Sequence, residues 1–156
     1  LLAMANRCYY ILNLDFNNIK NNSRYTKTLD SMGILPRVRY ILNENITPEL
    51  AKKMNADETL IYTEEHVKES GFELVGSIPL IEKPVFLNRI YNGTPVALDD
   101  TPYTLESRLE IARIANQIWP IDKLPYLEEQ YTRQQEREIA AAEASKKAKG
   151  FFGRGK

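Results

Sequence analysis

Val38-Arg39-Tyr40-Ile41-Leu42-Asn43 is the stretch on which the fold turns. It is short, rich in β-branched and aromatic side chains, and apolar on alternate and adjacent positions alike. That is the signature of a strand covered on both faces, as in a parallel sheet. Thirty residues earlier stands a second run of the same kind, Cys8-Tyr9-Tyr10-Ile11-Leu12, ending at Asn13-Leu14-Asp15. A third follows downstream, Phe72-Glu73-Leu74-Val75-Gly76-Ser77-Ile78, stopped by Pro79.

Helical patterns fill the intervals. Asp15 or Asn17 can cap a helix after the first run, with Ile19, Leu29 and Met32 on one face and Gly33 as its stop. Thr47-Pro48 opens a short helix through Met54, and Thr63 to Lys68 reads as another, ended near Gly71. Pro84 to Tyr91 suits a short helix closed by Asn92-Gly93. Pro95-Val96-Ala97-Leu98 reads as a brief extended piece. The strongest amphipathic pattern starts at Asp100 or Thr101 before Pro102. It carries Leu105, Leu109, Ala112, Ala115 and Trp119 at helical spacing, widened by Ile111, Ile114 and Ile118, and ends at Pro120.

Strands alternating with helices predict an α/β domain with right-handed crossovers and a mostly parallel sheet. Three strands are few for such a sheet, whose faces and edges both need cover. The chain also begins Leu1-Leu2-Ala3-Met4, as if inside an element. The expectation is a piece of a larger domain, with its front missing and its carboxy terminus natural. Residues 1–120 form the α/β part, and 121–156 a charged tail, an exposed helix or a partly disordered arm. In the tail Glu128, Glu129 and Glu136 come early and Lys146, Lys147 and Lys149 late, which suits a helix dipole.

Composition excludes several classes of function. Of 156 residues, 43% are hydrophobic and 27% charged, with a formal net charge of zero, so nothing requires nucleic acid or an acidic partner. The single cysteine, Cys8, allows no internal disulfide and suits a reducing compartment. With His66 as the one histidine, a Cys/His zinc site is excluded. No apolar run reaches the roughly 18–20 residues of a membrane span, and no secretory signal opens the chain. His66, among Glu64, Glu65 and Lys68, reads as solvated, and Cys8 as inert core. The pair Asp99-Asp100 suits helix capping better than a metal.

Four segments in order resemble one family: Cys8 to Leu29 with its D-F-N-N-I-K-N-N-S-R-Y; V-R-Y-I-L-N ending in Asn43; L-V-G-S-I-P-L-I-E from Leu74 to Glu82; and N-R-I-Y-N-G-T-P-V from Asn88 to Val96, before an amphipathic helix. Together, over Ala5 to Trp119, they resemble the back half of the MinD/ParA-type ATPases. These are P-loop NTPases with a deviant Walker A motif, and the subgroup most similar is the CpaE/TadZ-like proteins of pilus assembly.

The resemblance implies a base-binding corner. Asn43 would set its amide beside adenine, with donor and acceptor matching a purine edge, at the carboxyl end of a parallel strand. Pro79 of the Ile78-Pro79 pair would border the base, with Leu80 and Ile81 against its face and Glu44 adjoining. On residues alone Asn43 better suits a turn after the strand, and Pro79 a plain strand terminator. Two positions depart from the family: Glu44 stands where a basic residue is frequent, and Leu80-Ile81 separate Pro79 from Glu82.

The family's phosphate loop, K-G-G-x-G-K-[ST], is absent. Gly71 and Gly76 are isolated in strand context and Gly93 marks a turn, so no catalytic and no metal-binding residue is assigned. For the complete protein, the resemblance implies ATP with Mg²⁺, homodimerisation as a switch, and a pilus or secretion machine as partner. It also implies a cytoplasmic setting at the inner face of the membrane, with Phe151 and Phe152 in a basic terminal helix as the peripheral membrane contact. A soluble disordered terminus is the simpler expectation for that segment, since glycines interrupt it. The alternative function is a non-catalytic ParA-like or receiver-like scaffold acting through its surfaces. A receiver would need Asp15 as phosphoacceptor, and Pro79 stands where such domains use Lys.

Overall fold

The computed structural model describes residues 4–13, 16–53, 64–69, 71–81, 87 and 91–152, without side chains at a few helix-end positions. The expected cap Asp15, the helix start Thr63, and most of the Pro84–Tyr91 helix lie outside the described residues. So do Met54, Glu82, Asn88 and the side chains of Ile19, Phe151 and Phe152.

Three parallel strands form one sheet in the order β1 (Cys8–Asn13), β2 (Val38–Asn45) and β3 (Leu74–Pro79). The three apolar runs are therefore the three strands. β1 pairs with β2 in unbroken register from Cys8↔Val38 to Asn13↔Asn43. The β2–β3 register is broken twice, between Tyr40 and Ile41 and between Leu42 and Asn45. Val75 is the extra residue at the first break, and its carbonyl accepts a 2.8 Å hydrogen bond from Gln117 Nε2. At the second stands Glu44, left-handed with φ 56°, a conformation that costs an L-residue roughly 1–2 kcal/mol.

Alternation along the strands sorts the side chains onto two faces. On one lie Tyr10 and Leu12, Val38, Tyr40 and Leu42, and Leu74. They pack with Leu29 of α1 (Phe16–Ser31), Ile34, Val67 of α3 (Glu64–Glu69) and Phe72. Leu12 and Leu42 are fully buried, each removing about 1.5–3 kcal/mol of apolar side chain from water. An aromatic row crosses this face: Tyr10 lies 5.8 Å from Tyr25 and 5.9 Å from Tyr40, and Tyr40 meets Phe72 edge-on at 4.8 Å. Thr26 Oγ1 donates to Asn22 O, so at 2.9 Å it accepts from the Tyr40 hydroxyl. Burial raises the Tyr40 pKa above its ordinary value; the Thr26 hydrogen bond opposes this and the neighbouring Tyr10 and Tyr25 reinforce it.

The other face is covered on the β3 side by α4 (Leu105–Asn116). Gly76 makes this possible. A Cβ there would fall within 2.5 Å of Ile114 Cδ1 and closer still to Cγ1. On the β1 side of this face, Ile11 is 62% exposed.

Several expectations shift by a few residues for identifiable reasons. Asn17 lies inside α1 rather than capping it, and Met32 is exposed beyond the helix end. Gly33 and Gly93, with φ 68° and 65°, are the left-handed stops expected, and Gly71 (φ 85°) is a turn rather than strand. Thr47 caps α2 (Pro48–Lys53), accepting from Leu50 N at 3.3 Å. β3 starts later than Phe72, which is buried in the core. β3 ends at Pro79 as expected of a strand terminator; the proline is its last residue, paired with Asn45, and Leu80 N donates to Asn45 O at 2.8 Å. Proline is tolerated because β3 has no strand beyond it among the described residues, so the missing N–H faces outward. Val96–Leu98 is a 3₁₀ turn closed by Leu98 N on Pro95 O, not an extended piece.

α4 is preceded by a 3₁₀ turn at Pro102–Thr104, and its start is organised by Asp99 rather than capped by Asp100 or Thr101. Asp99 is buried and accepts from Thr101 N at 2.9 Å, while the fully buried Thr104 hydroxyl reaches Asp99 O and Thr101 O at 3.3 and 3.2 Å. Leu105, Leu109, Ala112 and Ile114 are buried as the stripe requires. The helix nevertheless ends before Trp119, and Ile118 and Trp119 are exposed, because Asn116 Oδ1 turns the chain by accepting from Ile121 N.

The tail is one helix, α5 (Leu124–Phe152). Its first half runs antiparallel to α4, tied by Arg113–Glu128 at 3.4 Å and Tyr131–Glu106 at 3.5 Å. From Glu136 to Lys146 every residue is exposed. No helix among the described residues is long and apolar enough to cross a membrane.

Candidate functional site

The carboxyl ends of parallel strands are where α/β sheets bind ligands, because the strand ends and the following loops leave a crevice there. In this sheet that rim carries an uncommon density of amides. The unbroken β1–β2 register sets Asn13 beside Asn43, and Asn43 Nδ2 donates to Asn13 Oδ1 at 3.1 Å. Two residues on, Asn45 sits beside Pro79.

Left-handed Glu44 is what separates the Asn13–Asn43 pair from Asn45 and Pro79. A regular strand would carry Asn43 and Asn45 on one face in step. The turn at Glu44 instead redirects the chain, and Asn45 and Pro79 line an open groove of about 430 Å³ with Thr47, Ser77, Glu106 and Glu110. Asn43 does not line that groove; it stays on the β1 side with Asn13. Pro79, Leu80 and Ile81 are half-buried at the adjoining strand end, and Glu44 is exposed.

The structure thus brings Asn43 and Pro79 to one rim but to different sides of Glu44. Asn13 and Asn45 join them there. Asn13 ends an apolar run as Asn43 does, which is the signal by which the sequence could have singled it out; Asn45, two residues past Asn43, carries no such signal. Engaged with Asn13 through one N–H, Asn43 keeps a second N–H and its carbonyl oxygen for a ligand.

The remaining polar residues fall elsewhere. His66 is exposed on α3, and Lys68 of the same helix pairs with Glu64 at 2.6 Å. Cys8 is half-buried at the margin of the core rather than within it. Asp100 points to solvent and pairs with Arg108 at 3.1 Å. Among the described residues, no group of three His, Cys, Asp or Glu side chains could hold a metal ion. Such a rim can offer hydrogen bonds to a flat polar ligand.

No family model matches the chain, and no curated protein does. Among solved structures, the fold is similar to the MinD cell division protein of Aquifex aeolicus, with a TM-score of 0.56 and 22% identity. The match covers 78% of this chain and 47% of that one, so the chain spans about half the length of that structure. At this identity the likeness speaks to fold. The three-stranded parallel sheet and its flanking helices are consistent with the fold of that MinD protein.

Proposed function

We propose that the chain is the downstream part of a MinD/ParA-like ATP-binding domain and supplies its base-contacting rim. The observation that carries this reading is the row of amides, Asn43 hydrogen-bonded to Asn13, at the carboxyl rim of a MinD-like parallel sheet. Two further features support it. The outer edge of β1 has no partner strand among the described residues, and Ile11 on that strand is largely exposed, as a strand inside a wider sheet would be once its neighbours are removed.

The chain's residues fit only one portion of ATP. Asn43 suits the edge of a purine, while Pro79, with Leu80 and Ile81 after it, lies on the other side of Glu44 and borders the neighbouring groove. The sequence holds no glycine-rich phosphate loop, and the described residues hold no metal cluster. In this proposal triphosphate and Mg²⁺ are held by upstream sequence of the complete protein. A switch in which ATP drives homodimerisation, and the CpaE/TadZ-like role at pilus or secretion machinery on the cytoplasmic face of a membrane, extend this proposal. A contact of Phe151 and Phe152 with lipid belongs to the same extension.

A second reading is a non-catalytic scaffold. The feature that favours it is α5, whose exposed half stands clear of the sheet as an interaction arm. ATP binding separates the two readings. The full-length protein is titrated with fluorescent ATP and with inorganic triphosphate, with and without Asn43→Ala. A base-contacting amide is worth about 1 kcal/mol, so Asn43→Ala weakens ATP binding by roughly three- to tenfold and leaves triphosphate binding unchanged. Equal ATP affinity in both forms discards the base contact, and absence of ATP binding favours the scaffold.

A further inference from the structure

α5 lays an unusual face against α4. Positions 130, 133, 134 and 137 recur at the spacing that normally puts apolar side chains into a helix contact. Here they are Gln130, Arg133, Gln134 and Arg137. Opposite them stands Arg108 of α4, only 7% exposed. With Asp100, these side chains line an open cavity of about 290 Å³.

The charges of this cavity are incompletely matched. Arg108 Nη1 donates to Asp100 Oδ1 at 3.1 Å and Nη2 to Thr101 O at a long 3.4 Å, while Nε is buried with no hydrogen-bond partner. A guanidinium offers five N–H groups, so most of this one's capacity is unused. Its carboxylate partner lies almost wholly in water, with the Asp100 side chain 99% exposed, which screens the pair. Arg133 pairs at 2.5 Å with Glu129, which does not line the cavity. Arg137 has no ion pair or hydrogen bond among the described residues. Arg133 and Arg137, four apart on one helix, repel each other. Three guanidiniums from two helices thus converge on a space that holds one carboxylate.

We propose that this cavity binds a small phosphoryl-bearing anion, bridged between Arg108 on α4 and Arg133 and Arg137 on α5. Guanidinium forks match tetrahedral oxyanions with paired N–H donors, and arginine rather than lysine is the residue for such recognition. The volume lies just below the range of roughly 300–1,000 Å³ of drug-sized pockets, and suits a phosphoryl group with a short appendage rather than a dinucleotide. The site is distinct from the amide rim, and does not depend on the base contact proposed there. The anion would also tie α5 to α4 at a point where α5 contributes only polar side chains to the cavity.

The test is calorimetric titration of the protein with pyrophosphate at low ionic strength. Three forms are compared: the native chain, Arg133→Gln/Arg137→Gln, and the exposed control Lys27→Gln on α1. Both arginines are exposed, so the double variant keeps its fold, which circular dichroism checks. Loss of two charge-assisted contacts weakens binding by at least about tenfold, whereas the control stays within about twofold. A second arm replaces pyrophosphate by phosphatidylcholine vesicles bearing phosphatidate. Selective loss in the first arm identifies a soluble ligand, and selective loss in the vesicle arm alone a lipid headgroup; either upholds the phosphoryl site. Absence of binding in both arms, equal binding by all three forms, or an equal loss in Lys27→Gln overturns it.

Discussion

Gly76→Ala is the sharpest test of how α4 is seated on the sheet. The added Cβ would lie within 2.5 Å of Ile114 Cδ1 and nearer still to Cγ1. Ile114 cannot easily yield, because it is buried and β-branched on a helix, where one χ1 rotamer dominates. Overpacking of this kind costs about 1–3 kcal/mol. Against it stands the stiffening of the unfolded chain, which favours Ala by about 0.4–1 kcal/mol at a position with an ordinary backbone. The clash is the larger effect, and the net loss is about 1–2 kcal/mol. Urea unfolding measures it, within a cycle that includes Ile114→Ala and the double variant. Ile114→Ala alone costs about 2–5 kcal/mol through the cavity it leaves. In the double variant the new methyl occupies part of that cavity, so the two losses fail to add by 1 kcal/mol or more, roughly the coupling of residues in contact. A neutral Gly76→Ala, or losses that sum, would refute the seating of Ile114 over Gly76.

Two further outcomes follow from the buried polar groups. Tyr40, and likewise Tyr131 through burial and the adjacent Glu106, have raised pKa values in the folded chain. The unfolded tyrosines lose their protons first, so the stability these groups contribute is complete below about pH 10 and falls as pH rises through the folded values; phenolate absorbance and alkaline unfolding should show this, with a shallower alkaline decline in Tyr40→Phe. Thr104→Val removes a buried hydroxyl that serves Asp99 O and Thr101 O, costing about 1–2 kcal/mol in thermal or urea unfolding, and an unchanged midpoint would mean that these carbonyls find other donors.

What the sequence disclosed, and what it withheld, follows the range of the interactions involved. The strands were legible because Tyr10, Leu12, Tyr40 and Leu42 form continuous apolar runs, and because Gly33 and Gly93 end helices through their own backbone freedom. Thr47 and Pro48 announce α2 for the same local reason. Pro79 marks the end of β3 through a local property, its missing N–H. Trp119 looked like a continuation of the α4 stripe, yet the contact that ends the helix, Asn116 with Ile121, leaves no periodic trace. Gly76 gave no sign of its purpose, since the residue that needs its missing Cβ lies far along the chain. At the rim, Asn43 was visible as a strand-ending amide, but its Asn13 partner and the turn at Glu44 emerge only from register. The arginine cavity was invisible because Arg108 and Arg137 become neighbours only when α5 folds back on α4.

The two rims of the sheet differ in kind. On the β3 side Pro79 offers no N–H outward, the carbonyl of the extra residue Val75 is already taken by Gln117, and α4 stands alongside. A strand arriving there would find a broken ladder. On the β1 side the ladder is regular and no proline interrupts it. Among the described residues the sheet is therefore polarised: its regular hydrogen-bonding margin is that of β1, and its interrupted one that of β3.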